Sequence, residues 1–120
     1  MDHIEARKLL EKYFQSWLKK DVILFKKLLD KKIIVRECYG PVYKGINANL
    51  KWFNEWNKAG KVIHWNILDF SYDPKNNKMS FEWDFKYKHD GYKGRFLGCS
   101  FIILKNDKFI SINEYKKTTN

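Results

Sequence analysis

The chain has 120 residues and a formal net charge of +10, with 44% hydrophobic and 18% aromatic residues. This composition excludes a disordered polypeptide, and the length is typical of one domain spanning residues 1–120. No segment is apolar enough to cross a membrane, and the charged, amphipathic start is unlike a secretion signal, so we expect a cytoplasmic protein. Cys38 and Cys99 lack metal-ligand spacing, and we expect both to be reduced.

The positive charge invites a nucleic-acid interpretation, but its composition argues against one. Of the 24 basic residues only Arg7, Arg36 and Arg95 are arginine, so bidentate phosphate or base contacts are scarce. The lysines are scattered through every predicted element rather than gathered in one patch. We therefore favour a solvated lysine surface, with nucleic-acid association as a weaker alternative.

The first part of the chain predicts two helices and two short strands. Apolar residues recur with helical spacing over residues 3–19, and Asp21 can cap a second, short helix. Residues 33–39 have the apolar, β-branched character of a strand. Gly40 and Pro41 interrupt this strand, and residues 42–45 form a short extended return.

The rest of the chain predicts one more helix and then a sheet. Residues 47–58 have helical periodicity, and Gly60 follows at a position typical of a helix end. The periodicity then changes to two, with short turn sequences between four strand candidates, which are residues 62–72, 79–88, 95–104 and 109–116. Helices followed by an antiparallel meander indicate an α+β fold. A curved sheet around the first helix would leave a conical internal pocket, where small ligands bind.

With this element order the chain resembles the nuclear transport factor 2-like superfamily, in its SnoaL-like branch. The resemblance is carried by four segments, at residues 13–21, 25–30, 39–45 and 108–115. It implies three N-terminal helices packed on a strongly curved mixed or antiparallel sheet, forming a cone with an internal pocket. It also implies a homodimer that pairs through the outer face of the sheet.

The ketosteroid isomerases of this superfamily suggest roles for particular residues. They place an oxyanion-stabilising tyrosine on the first helix and a general-base carboxylate at the end of the first strand, and the matching positions are Tyr13 and Glu37. Their additional carboxylic acid on the penultimate strand matches Ser100, a departure that argues against steroid isomerisation itself. The resemblance implies chemistry without a cofactor.

Several candidates also follow from the residues alone, each with a structural alternative. Glu37 interrupts an apolar strand, and burying its carboxylate is costly unless it pairs with a lysine or is used. Glu114 alternates with the interior Ile112 and is a second buried acid or a lysine partner. Tyr13 is either a catalytic group or a core tyrosine, and His64 is either catalytic or structural.

The predicted pocket is aromatic. Its expected ligand-binding residues are Trp17, Tyr39, Trp52, Trp56, Trp65, Trp83, Phe85, Ser100 and Glu114. We see no metal-ligand cluster, phosphate loop, nucleophile elbow or dinucleotide motif. The sequence thus predicts a protein that binds an apolar or aromatic small molecule. As an enzyme it would catalyse isomerisation, cyclisation or dehydration with Glu37 as base and Tyr13 as oxyanion donor. The alternative is a non-catalytic ligand-binding or dimeric interaction module.

Overall fold

The computed structural model of the protein describes residues 1–118, beginning with two capped helices. Helix α1, His3–Leu18, starts at Asp2, whose carboxylate accepts a 2.8 Å hydrogen bond from the Glu5 amide. Helix α2, Val22–Leu28, starts at Asp21, which accepts a 3.0 Å hydrogen bond from the Leu24 amide. Each side chain satisfies an amide that the first helical turn leaves unpaired.

A third helix and six strands complete the fold. Helix α3 spans Ile46–Ala59. The strands are β1, Leu29–Arg36; β2, Val42–Lys44; β3, Gly60–Asp73; β4, Lys78–His89; β5, Tyr92–Lys105; and β6, Lys108–Lys116. They form one six-stranded sheet in the order β2-β1-β6-β5-β4-β3. Strands β1 and β6 are parallel and the other neighbours are antiparallel, so the predicted α+β fold with a mixed sheet is confirmed.

The first strand lies earlier in the chain than its predicted range of 33–39. It follows α2 directly at Leu29, which pairs with Phe109, and it ends at Arg36. Glu37 begins the connection to β2, where its amide donates to the Pro41 carbonyl at 3.0 Å. This hydrogen bond closes a turn at the Gly40-Pro41 break, so the side chain of Glu37 projects from the end of a strand.

The helices cover one end of the concave sheet face. The first turns of α1 lie over Phe70, whose ring is 5.0 Å from the ring of His3. Further along the helix, the ring of Phe14 meets Phe81 edge to face at 5.9 Å. Two irregularities in the pairing of β3 with β4 interrupt the regular ladder, and such bulges bend a sheet. The sheet therefore curves around α1, and its other end forms a hollow near Trp17. Within residues 1–118, no helix has the length and apolar character needed to span a membrane.

Candidate functional site

The hollow at this end of the sheet is a cavity of about 370 Å³. All five tryptophans of the chain contribute to its wall. The lining residues are Trp17, Glu37, Cys38, Tyr39, Trp52, Trp56, Trp65, Trp83, Phe85, Tyr87, His89, Tyr92, Phe96 and Glu114. Aromatic carbon thus dominates the wall, and two carboxylates supply its acidic groups.

Strands β4 and β5 build the floor of the cavity by alternating large and small residues across the pair. Trp83 pairs with Gly98, and Tyr87 pairs with Gly94. A methyl group on either glycine would overlap the facing ring, so the absence of a side chain lets each ring lie flat on the sheet. Between them Phe85 pairs with Phe96, and their ring centroids are 5.5 Å apart.

Stacked partners hold the other tryptophans in place. The ring of Trp65 on β3 stacks on Phe14 of α1, with centroids 4.0 Å apart and planes 8° from parallel. Trp52 on α3 stacks on Tyr43 of β2 at 4.7 Å and contacts Trp17 at 4.9 Å. Because these partners belong to different elements, the shape of the cavity depends on the docking of α1 and α3 onto the sheet.

Two carboxylates meet in this aromatic wall. The parallel pairing of β1 with β6 joins Arg36 to Asn113, so the next residues along, Glu37 and Glu114, lie side by side. Both side chains are half-buried and line the cavity. The carboxylate of Glu37 accepts a long hydrogen bond from the Tyr43 hydroxyl at 3.5 Å. Among the described residues neither glutamate takes part in a salt bridge.

This environment changes the protonation of both acids. Burial and then the charge of Glu37 raise the pKa of Glu114 to about 8, against an opposing effect of the Cys38 backbone amide. Burial also raises the pKa of Glu37, although the hydrogen bond from Tyr43 opposes the rise. Burial raises the pKa of the neighbouring Cys38 thiol to about 12. Near neutral pH the cavity therefore holds a protonated Glu114 and a neutral thiol, beside a second acid whose pKa is also raised.

The structure places Tyr13 behind the cavity wall rather than in it. Its side chain is 1% exposed, and its hydroxyl has no hydrogen-bond partner among the described residues. Burial, followed by the charges of Glu114 and Glu37, raises its pKa. Tyr13 thus lies close enough to the two glutamates for their charges to affect its pKa, but it does not line the cavity that a ligand would occupy.

Two other candidates do not line the cavity. Ser100 is 2% exposed, and its hydroxyl accepts a 2.9 Å hydrogen bond from the Trp83 indole, so it supports the wall from beneath. His64 lies on the outer face, because neighbouring residues of a strand point to opposite sides and Trp65 faces inward. Its Nε2 is 3.4 Å from the Asp84 carboxylate, which Arg95 binds with two hydrogen bonds of 3.0 and 2.6 Å. The expected roles of Ser100 in binding and His64 in catalysis therefore have no support in this geometry.

Five lining residues were missing from the candidates drawn from the sequence, namely Cys38, Tyr87, His89, Tyr92 and Phe96. A signal for most of them was present. Asp90 and Gly91 form a two-residue turn, both with positive φ, and such a turn fixes the register of the strands on either side. Counting back from it pairs His89 with Tyr92 and Phe85 with Phe96, on the same face as Trp83.

The described residues contain no group of three or more histidine, cysteine, aspartate or glutamate side chains that could hold a metal ion. The chemistry available to the cavity is therefore that of its carboxyl groups, phenols and one imidazole, His89, with aromatic surfaces to hold an organic molecule.

No protein-family model and no curated protein matches the chain. Several solved structures do match the chain in fold. A proposed isomerase from Bacillus subtilis is 18% identical, with a TM-score of 0.85 over 98% of this chain and 90% of its own. An LEH-like epoxide hydrolase from M. tuberculosis is 10% identical, with a TM-score of 0.84 over 95% and 84%. A proposed SnoaL-like polyketide cyclase from Shewanella putrefaciens is also 10% identical, with a TM-score of 0.80 over 93% and 89%.

These likenesses lie at identities that establish the fold alone. The chain has the three helices and curved six-stranded sheet of the SnoaL-like, nuclear transport factor 2-like proteins, and the resemblance inferred from the sequence is confirmed at that level.

Proposed function

We propose that the protein binds an apolar or aromatic small molecule in the cavity and acts on it by cofactor-free acid–base catalysis. The observation that carries the proposal is the pairing of Glu37 with Glu114 in a wall that is otherwise aromatic. Two carboxyl groups in one apolar site, one of which keeps its proton to about pH 8, can take a proton at one atom and give one at another.

In this proposal Glu37 is the base and Glu114 the acid. Glu37 takes a proton from a carbon atom of the substrate, and Glu114, which keeps its proton to about pH 8, donates to the oxygen on which negative charge develops. Return of a proton to another carbon atom completes an isomerisation. In a dehydration Glu114 instead protonates the leaving hydroxyl, the C–O bond breaks, and water departs as the C=C bond forms. Tyr13, behind the wall, would act through the acid pair as a positioning residue rather than touch the substrate.

The similar structures support this class of reaction by analogy. They include a proposed isomerase, an LEH-like epoxide hydrolase and a proposed polyketide cyclase, and acid–base catalysis can serve each of these reaction types. A shared fold does not transfer a substrate, so the analogy bears on the kind of chemistry and no further.

The first test uses a probe that reports a general base in an apolar site. A base removes the ring C–H proton of 5-nitrobenzisoxazole, the N–O bond breaks, and the coloured 2-cyano-4-nitrophenolate forms. We expect turnover by the protein and a loss of roughly a hundredfold or more in Glu37→Gln, the scale of general-base catalysis. Circular dichroism would show that the variant is folded.

Glu82→Gln is the matched control, because Glu82 is an exposed acid on the same sheet and does not line the cavity. It should keep the parent rate. Equal rates in the parent and Glu37→Gln would contradict the assignment of Glu37 as base. Binding of the probe without turnover would favour the alternative, a non-catalytic ligand-binding module, which the crowding of five tryptophans around one cavity also suits.

We further propose that the protein is a cytoplasmic homodimer that pairs through the outer face of the sheet. That face carries exposed apolar side chains on neighbouring strands, with Leu97 39% and Tyr115 55% exposed. Phe101 lies on the same face of β5, and its ring is 5.9 Å from that of Tyr115. Cys38 and Cys99 are both free, as the reducing cytoplasm would keep them.

A further inference from the structure

The two cavity glutamates have no cationic partner in a chain that is rich in cations. The sequence contains 24 lysines and arginines, yet none of them lines the cavity. Among residues 1–118 neither Glu37 nor Glu114 forms an ion pair. Desolvated carboxylates without a partner are costly, and a protein with this charge could have supplied one. The cavity therefore holds two acids and no lining lysine or arginine, in a protein whose formal net charge is +10.

The aromatic wall also favours a positively charged ligand. Ring faces carry negative electrostatic potential and attract ammonium groups within about 6 Å. The chain itself shows this at the edge of the cavity, where the ammonium of Lys116 lies 4.8 Å from the centre of the Phe96 ring and 5.4 Å from that of Tyr39. Both rings line the cavity, so the ammonium of Lys116 lies at its rim, against rings of the same wall.

The buried side of the site also lacks a partner. Tyr13 is 1% exposed behind the acid pair, and its hydroxyl makes no hydrogen bond among the described residues. Both glutamates influence this phenol through space. The base of the cavity thus holds two carboxyl groups that form no salt bridge, and a phenol hydroxyl that forms no hydrogen bond, among the described residues.

We propose that the ligand of this cavity is an organic cation, an apolar or aromatic body bearing an ammonium nitrogen that lies between the tryptophan faces and the carboxylates of Glu37 and Glu114. The inference rests on the proposed small-molecule function and names the chemical class of its ligand. A cavity of about 370 Å³ has room for an arylalkylammonium.

Binding of a cation should depend on pH through the acid pair. A positive charge favours ionised carboxylates, so a ligand with a permanent charge binds more tightly as Glu114 loses its proton near pH 8. The other titratable or charged groups that face the pair are Tyr13 on α1, Cys38 and Tyr39 after β1, Tyr43 on β2, Tyr87 and His89 on β4, and Lys116 on β6. Variants of the two glutamates therefore separate their contribution from that of these neighbours.

The test compares benzyltrimethylammonium with neopentylbenzene, its neutral isostere, by quenching of tryptophan fluorescence at pH 6 and pH 9. We expect the cation to bind at least about tenfold more tightly than the isostere at pH 9, with a smaller difference at pH 6. In the variant with both Glu37→Gln and Glu114→Gln this preference should shrink to the part that the ring faces supply and lose its dependence on pH, while the isostere still binds. Lys116→Gln should raise the affinity for the cation, and Glu82→Gln should change nothing.

Each outcome decides the matter. Equal binding of the two probes at pH 9, or a preference of undiminished size in the double glutamine variant, would overturn the cation assignment but leave a cavity for apolar molecules. If neither probe binds, the small-molecule function itself fails. The single variants Glu37→Gln and Glu114→Gln, each expected to lose part of the preference, keep the test available if the double variant does not fold.

Discussion

At the scale of single residues, Glu114 should make stability depend on pH. Its pKa is about 8 in the folded protein, against an ordinary value of 4.5. Between these values the folded chain binds more protons than the unfolded chain, so the free energy of unfolding falls as pH rises from about 4.5 to about 8. Glu114→Gln keeps the neutral shape and removes this titration. Over that interval we expect the free energy of unfolding of the variant to rise relative to that of the parent by a few kcal/mol, the order of magnitude that a pKa shift of this size implies.

Urea denaturation at several pH values between 5 and 9 measures this difference. Subtracting the parent curve cancels the titration of groups that do not interact with Glu114. The charge of Glu37 acts on Glu114, so the difference reports the titration of the coupled pair. Glu82→Gln on the exposed face serves as the control and should track the parent. A difference that stays constant across the range would mean that Glu114 is ionised throughout.

Residue by residue, the sequence allowed part of the site to be predicted. Glu37 and Glu114 were identifiable because a carboxylate among apolar strand residues conflicts with its surroundings, and that conflict is visible locally. Tyr13 was placed on the correct helix, but the sequence could not show which of its neighbours would seal its hydroxyl from the cavity. His64 and Trp65 are adjacent, and only the bulge between Val62 and His64 in the pairing of β3 settles which one faces inward.

At the scale of elements, the β4–β5 hairpin supports the cavity through its glycines. In Gly98→Ala the added methyl group would overlap the Trp83 ring and the Tyr115 carbonyl, forcing the indole into the cavity. We expect a loss of about 1–3 kcal/mol in the free energy of unfolding, typical of overpacking, together with weaker binding of either probe. Urea denaturation and fluorescence quenching measure the two effects.

A second substitution tests this explanation. Trp83→Phe removes the part of the ring that the methyl group meets, so the two changes together should cost less than the sum of their separate effects. Cys99→Ala, one residue along on the outer face, should not disturb the cavity. Strictly additive losses would indicate that Gly98 matters for backbone reasons alone.

The elements differ in how far local sequence could predict them. The turns at Asp90-Gly91 and Asn106-Asp107 were predictable because their residues tolerate the positive φ found at all four positions. The start of β1 at Leu29 was not, because residues 29–32 have little strand pattern and extend only because Leu29 pairs with Phe109, far along the chain. A pairing between segments far apart in the chain produces no periodic pattern in the sequence of either segment, so local sequence does not predict it.

At the scale of the whole molecule, the proposed dimer has a simple test. If two sheets pair through their outer faces, each protomer should bury about 800 Å² there, the size of a standard interface. Leu97→Lys places a charge in the middle of that face and opposite another copy of itself, so we expect a folded monomer. Light scattering at high micromolar concentration distinguishes the two states.

Ile23→Lys is the matched control, since Ile23 is 79% exposed on helix α2, away from the sheet. It should leave the dimer intact. A parent protein that is monomeric at the same concentration would remove the proposal, and a Leu97→Lys variant that stays dimeric would move the interface elsewhere.

The parallel contact between β1 and β6 has a consequence for the two acids of the cavity. Arg36 and Asn113, which lie side by side, are separated by 77 positions in the chain. Most other sheet contacts join neighbouring hairpin strands, which close early because their loops are short. The hairpin strands that form the floor of the cavity join segments close in the chain, whereas the two glutamates meet only when segments 77 positions apart come together. Closing that long loop has the larger entropic cost, so a change that weakens the contact of β1 with β6 should separate the two acids while the β4–β5 hairpin keeps its pairing.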